Sequence, residues 1–255
     1  MILALKLFLA PMLIGLVSIA GRRWGPTVGG WLVSLPLTSA PVILFLAIEQ
    51  GTAFASSAAQ NTLMGIISVA SFCLVYYWFS FRFRWPISML AGWIAFFALT
   101  LIEESVNLPI FFSFMAVTIF LIVVLKIMPK GESKDLAITP PKWDTPLRML
   151  VATGFVLGLT GAATILGPQL SGLLAPFPMF TTILAVFTHH FQGAIFTRRL
   201  LRAVVAGSFT FVTFFLVISL LVNRWGIAVT FCLALVAAMA THSALLFVIR
   251  RKGNV

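Results

Sequence analysis

Stretches of close to twenty apolar residues follow one another along this chain, at about 2–20, 29–49, 60–80, 86–102, 108–128, 147–166, 172–196, 203–222 and 227–249. Nothing else in the sequence constrains the fold so strongly. As an α-helix, a run of this length crosses the ~30 Å hydrocarbon core of a bilayer. Water is absent there, so the backbone must satisfy its own hydrogen bonds, which only helices and closed barrels do. Barrel strands would alternate apolar and polar residues over roughly ten positions, and these runs do not alternate. The chain has 255 residues, of which 61% are hydrophobic and 9% charged, too few polar groups to coat a soluble domain. The reading is an all-α integral membrane protein with about nine transmembrane helices and no soluble domain.

Charge sets an orientation. With nine spans and the amino terminus outside, the inner segments carry Arg22, Arg23, Arg82, Arg84, Lys126, Lys130, Lys134, Lys142, Arg148, Arg198, Arg199, Arg202, Arg250, Arg251 and Lys252. Those are fifteen of the seventeen basic residues, Lys6 and Arg224 being the exceptions, while Glu49, Glu103 and Glu104 fall outside. Segregation of this kind follows the positive-inside rule and places the carboxyl terminus in the cytoplasm. It also accounts for the net charge of +11 without nucleic acid. The longest inner loop, about 129–146, is short and mixed in charge, so contact with anionic lipid headgroups is the expectation there. Residues 1–20 lack a convincing cleavage site and read as a retained first span. Cys73 and Cys232 lie inside apolar runs and read as packing residues.

A shift of 142 positions aligns the two halves. Gly25-Pro26 falls on Gly167-Pro168, Gly30 on Gly172, Leu32 on Leu174, Pro36 on Pro178, Phe45 on Phe187, Gln50-Gly51 on Gln192-Gly193 and Phe54 on Phe196. These are nine identities in thirty positions, where roughly two to four are expected by chance. Matched Gly and Pro weigh most, because they fix backbone geometry. Each repeat then holds four spans, in residues 1–102 and 147–255, and residues 103–146 supply a linking fifth helix and an inner loop. Because the fifth span returns the chain across the bilayer, the second repeat is inverted relative to the first, an arrangement common in secondary transporters. Duplication kept for structural symmetry alone is the plainer alternative.

The stretch Ser171-Gly172-Leu173-Leu174-Ala175-Pro176-Phe177-Pro178-Met179-Phe180, followed by His189-His190, resembles the small bacterial inner-membrane proteins of the GlpM type. Their pattern is Ala-Gly-Leu-x-Pro-x-Phe-Pro-x-Phe, with a histidine later in the same helix and three further apolar stretches. The resemblance covers about 147–249 and, more faintly, 1–102 through Gly29-Gly30-Trp31-Leu32 and Leu35-Pro36. It implies two fused, inverted four-helix units in a bacterial inner membrane. It supplies no biochemical activity. The first repeat departs from it, with Leu35 and Thr38 in place of Phe177 and Phe180 and no histidine.

The strongest local signal is a pair of proline breaks at corresponding places. Ser34-Leu35-Pro36-Leu37-Thr38-Ser39-Ala40-Pro41 interrupts the second span, and Pro176-Phe177-Pro178-Met179-Phe180-Thr181-Thr182 the seventh. Proline removes a backbone donor and disfavours helix before it. In a bilayer such backbone is tolerated where it is buried in protein or lines a cavity. Paired interruptions in two repeats point to a transporter site. Pro36, Thr38, Ser39, Pro41, Pro178, Thr181 and Thr182 are therefore the candidate substrate-binding residues, their hydroxyls lying beside the amino-terminal ends of new half-helices. The alternative is a pair of kinks that only shape packing. Glu49, His189 and His190 are candidates for proton coupling, since ionisable groups are costly inside a membrane. Against that, Glu49 can reach interfacial water and the histidines can bond between helices. His242 reads as structural.

No catalytic set, phosphate loop or metal-ligand pair stands out, and adjacent His189 and His190 point about 100° apart on a helix. The expectation is a transporter without cofactor or metal, working by alternating access on an anion, a polar solute or a lipid-linked headgroup. The rival is a membrane scaffold that stabilises partner proteins. Oligomeric state is open, a homodimer included.

Overall fold

The computed structural model describes residues 2–33, 35–36, 39–106, 108–129, 141, 143–155, 157–158 and 177–253. Every regular element among the described residues is helical: α1 (Ile2–Trp24), α2 (Pro26–Val33), α3 (Ser39–Gln50), α4 (Thr52–Phe79), α5 (Trp85–Glu104), α6 (Ile110–Ile127), α7 (residues 144–155), α8 (Met179–Gln192) and α9 (Ala194–Gly253). Four of these runs are long and apolar enough to cross a membrane: Thr52–Phe79, Trp85–Glu103, Ile110–Ile127 and Ala194–Leu245. The described part of the chain is thus all-helical, with four helices compatible with a membrane-embedded protein.

The helix ends have local causes. Gly25, Gly51, Gly193 and Gly226 each take a positive φ, between 74° and 94°, which an L side chain resists. Gly25 separates α1 from α2, Gly51 separates α3 from α4, and Gly193 separates α8 from α9. Gly226 interrupts α9 itself (φ 74°, ψ 175°), and the chain folds back there. Thr210 Oγ1 then lies 3.3 Å from His242 Nδ1, and the Thr213 and Thr241 hydroxyls are 3.1 Å apart. Residues 194–225 and 227–253 are accordingly two antiparallel arms. A single straight helix of sixty residues would run about 90 Å, three times the hydrocarbon thickness.

The core lies between α4 and the first arm of α9, which pack along their lengths, with α5 and α6 also against α4. On α4 the buried stripe runs Ala55, Ala59, Leu63, Ile66, Ala70, Cys73 and Tyr77, at spacings of three and four that keep one face inward. Against it lie Val205, Val212, Phe214, Phe215, Ile218 and Val222 of α9. The two helices run antiparallel. Ser56, near the start of α4, donates to the Ser219 carbonyl near the end of the arm at 2.7 Å. At the opposite end the Arg198 guanidinium stands 4.0 Å from the Phe81 ring. On α6, Ser113, Val117, Leu121 and Val124 are buried, while Phe111, Phe112, Ile119 and Ile122 are exposed. A helix that turns phenylalanines outward and a serine inward suits lipid and not water.

Helix α2 sits unusually close to α9. A β-carbon at Gly30 would stand 2.5 Å from the Leu200 carbonyl oxygen and 2.9 Å from Ala203 Cβ. Only glycine permits this approach, the use small residues serve at membrane helix contacts.

Candidate functional site

The first proline stretch lies between α2 and α3. Leu35 and Pro36 are non-helical, and Pro36 is buried. The Leu35 amide donates to the Leu32 carbonyl at 3.3 Å, and the Ala40 amide to the Pro36 carbonyl at 2.9 Å, so Pro36 accepts the first bond of α3. Ser39 and Pro41 both lie on α3 and are half-buried. Thr38 lies outside the described residues, as do Ser34 and residues 171–176 of the second stretch.

In the second proline stretch Phe177 and Pro178 are non-helical and α8 opens at Met179. The Thr182 amide donates to the Pro178 carbonyl at 2.8 Å. Thr181 and Thr182 are buried, and Trp93 Nε1 of α5 donates to Thr182 Oγ1 at 3.3 Å. Phe177 is surrounded by rings, with centroids 5.5 Å to Trp93, 5.7 Å to Phe96, 5.9 Å to Phe97 and 6.1 Å to Phe155. The hydroxyl of Thr182 is thus a polar point beside an aromatic wall. Among the described residues no hydrogen bond or ring contact joins the two breaks. Their helices meet through α2, which packs against α8.

The three coupling candidates divide between the ends of the bundle. Glu49 is exposed at the end of α3, next to Gly51. His189 and His190 lie next to Gly193, at the opposite end, because α4 and the first arm of α9 are antiparallel. His189 is half-buried, its Nδ1 3.3 Å from the Tyr76 hydroxyl. His190 is exposed, edge-on to Trp85 at 6.5 Å, and both histidines border a cleft of about 460 Å³ that Arg84 and Trp85 also line. His242 pairs with Thr210 and sits edge-on to Trp31 at 5.3 Å.

Two polar clusters escaped the sequence reading. In the first, Ser68 of α4 donates to Glu103 Oε1 at 2.9 Å and accepts from Thr100 at 3.1 Å, placing a carboxylate against the α4–α5 contact. In the second, Asp144 is fully buried, held by Arg148 Nε at 3.0 Å and by Arg22 Nη2 at 3.2 Å. Arg22 also donates to the Pro141 carbonyl. The spacing of Asp144 and Arg148, four residues apart, was the one sequence signal for this pair. Both arginines had been read as topology determinants alone.

Comparison with family models, with curated proteins and with solved structures found no match in any of the three.

Proposed function

We propose that the protein is a small membrane transporter built from two inverted four-helix repeats, with the two proline breaks forming its central site. The observation that carries this reading is a backbone arrangement that recurs at an offset of 142. Helices α3 and α8 end at Gln50 and Gln192, and α4 and α9 begin at Thr52 and Ala194. The bond from the Ala40 amide to Pro36 recurs as that from Thr182 to Pro178, and the 3.2 Å bond from Ala55 to Gly51 as the 3.3 Å bond from Thr197 to Gly193. Thr100–Ser68 is matched by His242–Thr210, each joining the two helices of a hairpin. The α5 helix starts at Trp85, and the second arm of α9 at residue 227. A duplicated unit accounts for all of these together. The antiparallel run of α4 against the first arm of α9 supports opposite orientations for the two copies.

On this reading the chain crosses the bilayer nine times, α2 and α3 being the halves of one broken span. The cytoplasmic side carries Arg22, Arg148 and Arg198. The resemblance to GlpM-type units fits a bacterial inner membrane. Alternating access would expose the breaks first to one side and then to the other.

A second reading has its own support. The rings around Phe177 pack the second break with apolar surface, as a scaffold would need. Accessibility separates the two readings without knowledge of the substrate. Ser39→Cys and Thr181→Cys, each in a chain with Cys73 and Cys232 replaced, are treated with a membrane-impermeant thiol reagent from either face. A transporter gives labelling at both positions, each from both faces. Protection from both faces would leave the scaffold.

A further inference from the structure

We propose that the junction of α1, α7 and α8 binds a small monovalent anion, of halide size, in a cavity that the proline breaks do not touch. A cavity of about 20 Å³ opens there, lined by Ser18, Arg22, Arg148, Thr188 and Gln192 together with small and apolar residues. That volume holds one water-sized occupant. A polyatomic anion does not fit whole.

Charge says which occupant. Arg22 and Arg148 share a single carboxylate, Asp144, both of whose oxygens they engage. Among the described residues, two guanidiniums against one carboxylate leave one unbalanced positive charge. Arg148 is only 4% exposed and Asp144 not at all, so the excess charge falls on Arg22, whose side chain is 26% exposed. A guanidinium held largely out of water without its own counter-charge is costly, and a counter-ion beside it would offset that cost. Asp144 does not line the cavity, so among the described residues no carboxylate faces the occupant.

The donors point the same way. Ser18 is 4% exposed and its Oγ has no partner among the described residues; the same holds for the buried Nε of Arg22. An unmet buried donor costs about 1–3 kcal/mol, so the arrangement calls for an acceptor. The Thr188 hydroxyl and the Gln192 amide can add further donors to the same space. A water could accept from two of these groups but would leave the charge unbalanced. A halide accepts from all of them and supplies the missing negative charge.

The test is thermal unfolding of the full-length protein in neutral detergent, titrated with sodium chloride against sodium gluconate at constant ionic strength. Gluconate is too large for the cavity and controls for screening. A saturable rise in Tm with chloride is expected, absent with gluconate. Ser18→Ala should move the chloride midpoint at least fivefold higher, and Arg22→Gln should abolish the response. Should Arg22→Gln fail to fold, Ser18→Ala decides the matter. Equal melting curves in the two salts, or a Ser18→Ala variant that responds as the parent does, would overturn the proposal. So would stabilisation by phosphatidylglycerol micelles without any response to chloride, which would assign the arginines to a lipid phosphate.

Discussion

Gly51 and Gly193 stand 142 positions apart and hold the same backbone conformation, φ 90° and ψ 168° in one and φ 90° and ψ 175° in the other. Each joins a short helix ending in glutamine to a long one that forms half of the core.

No atom lies near enough to obstruct a β-carbon at either glycine, so the demand for glycine is purely conformational. Alanine at Gly51 or Gly193 should therefore cost about 1–3 kcal/mol, read as a lowered Tm in detergent. Gly154 of α7 also has open space around it but no positive φ. Gly154→Ala should be neutral or slightly stabilising, which separates backbone strain from any general intolerance of alanine.

Gly30 tests packing instead. A β-carbon there meets the Leu200 carbonyl, which cannot swing aside as a side-chain tip would. Gly30→Ala should force α2 away from α9 and cost about 1–3 kcal/mol by overpacking. A variant melting within one degree of the parent would show that the approach is not tight.

The hydroxyls at the breaks should matter to function more than to folding. Replacing Thr38, Thr181 and Thr182 with valine and Ser39 with alanine nearly keeps volume and removes the side-chain hydrogen bonds. In Thr182 it deprives Trp93 Nε1 of its acceptor. Each unmet partner in a substrate complex is worth about 1–3 kcal/mol, or roughly five- to two-hundredfold in affinity. The expected outcome is near-normal expression and membrane insertion with a lost cellular phenotype. A normal phenotype favours the scaffold.

Much of the helical order was legible because lipid solubility and helix length act on the same residues. The runs expected at 86–102 and 108–128 became Trp85–Glu104 and Ile110–Ile127. The run expected at 60–80 starts earlier, at Thr52. Residues 52–59 are rich in Ala and Ser, which reads as an interfacial loop by hydropathy yet forms helix readily, and there Ser56 reaches Ser219 of α9. The run expected to reach 196 is cut at Gly193, where a positive φ outweighs continuous apolarity. Pro36 and Pro178 lie outside regular helix, a local effect of proline that a sequence displays directly. The Asp144 cluster was not legible, since Arg22 reaches it from 122 residues away and nothing in one sequence encodes that approach. Glu103 was read as a loop boundary for the same reason, its partner Ser68 lying on another helix.

The proposed inverted repeat is most directly tested by asking on which side of the membrane the two glycine turns lie. Gln50 and His190 are exposed beside Gly51 and Gly193, at opposite ends of the antiparallel α4–α9 pair. Gln50→Cys and His190→Cys, each with Cys73 and Cys232 replaced, are exposed in intact cells to an impermeant maleimide and again after permeabilisation. The account expects Gln50→Cys to label in intact cells and His190→Cys only after permeabilisation. Labelling of both positions from the same side would contradict it.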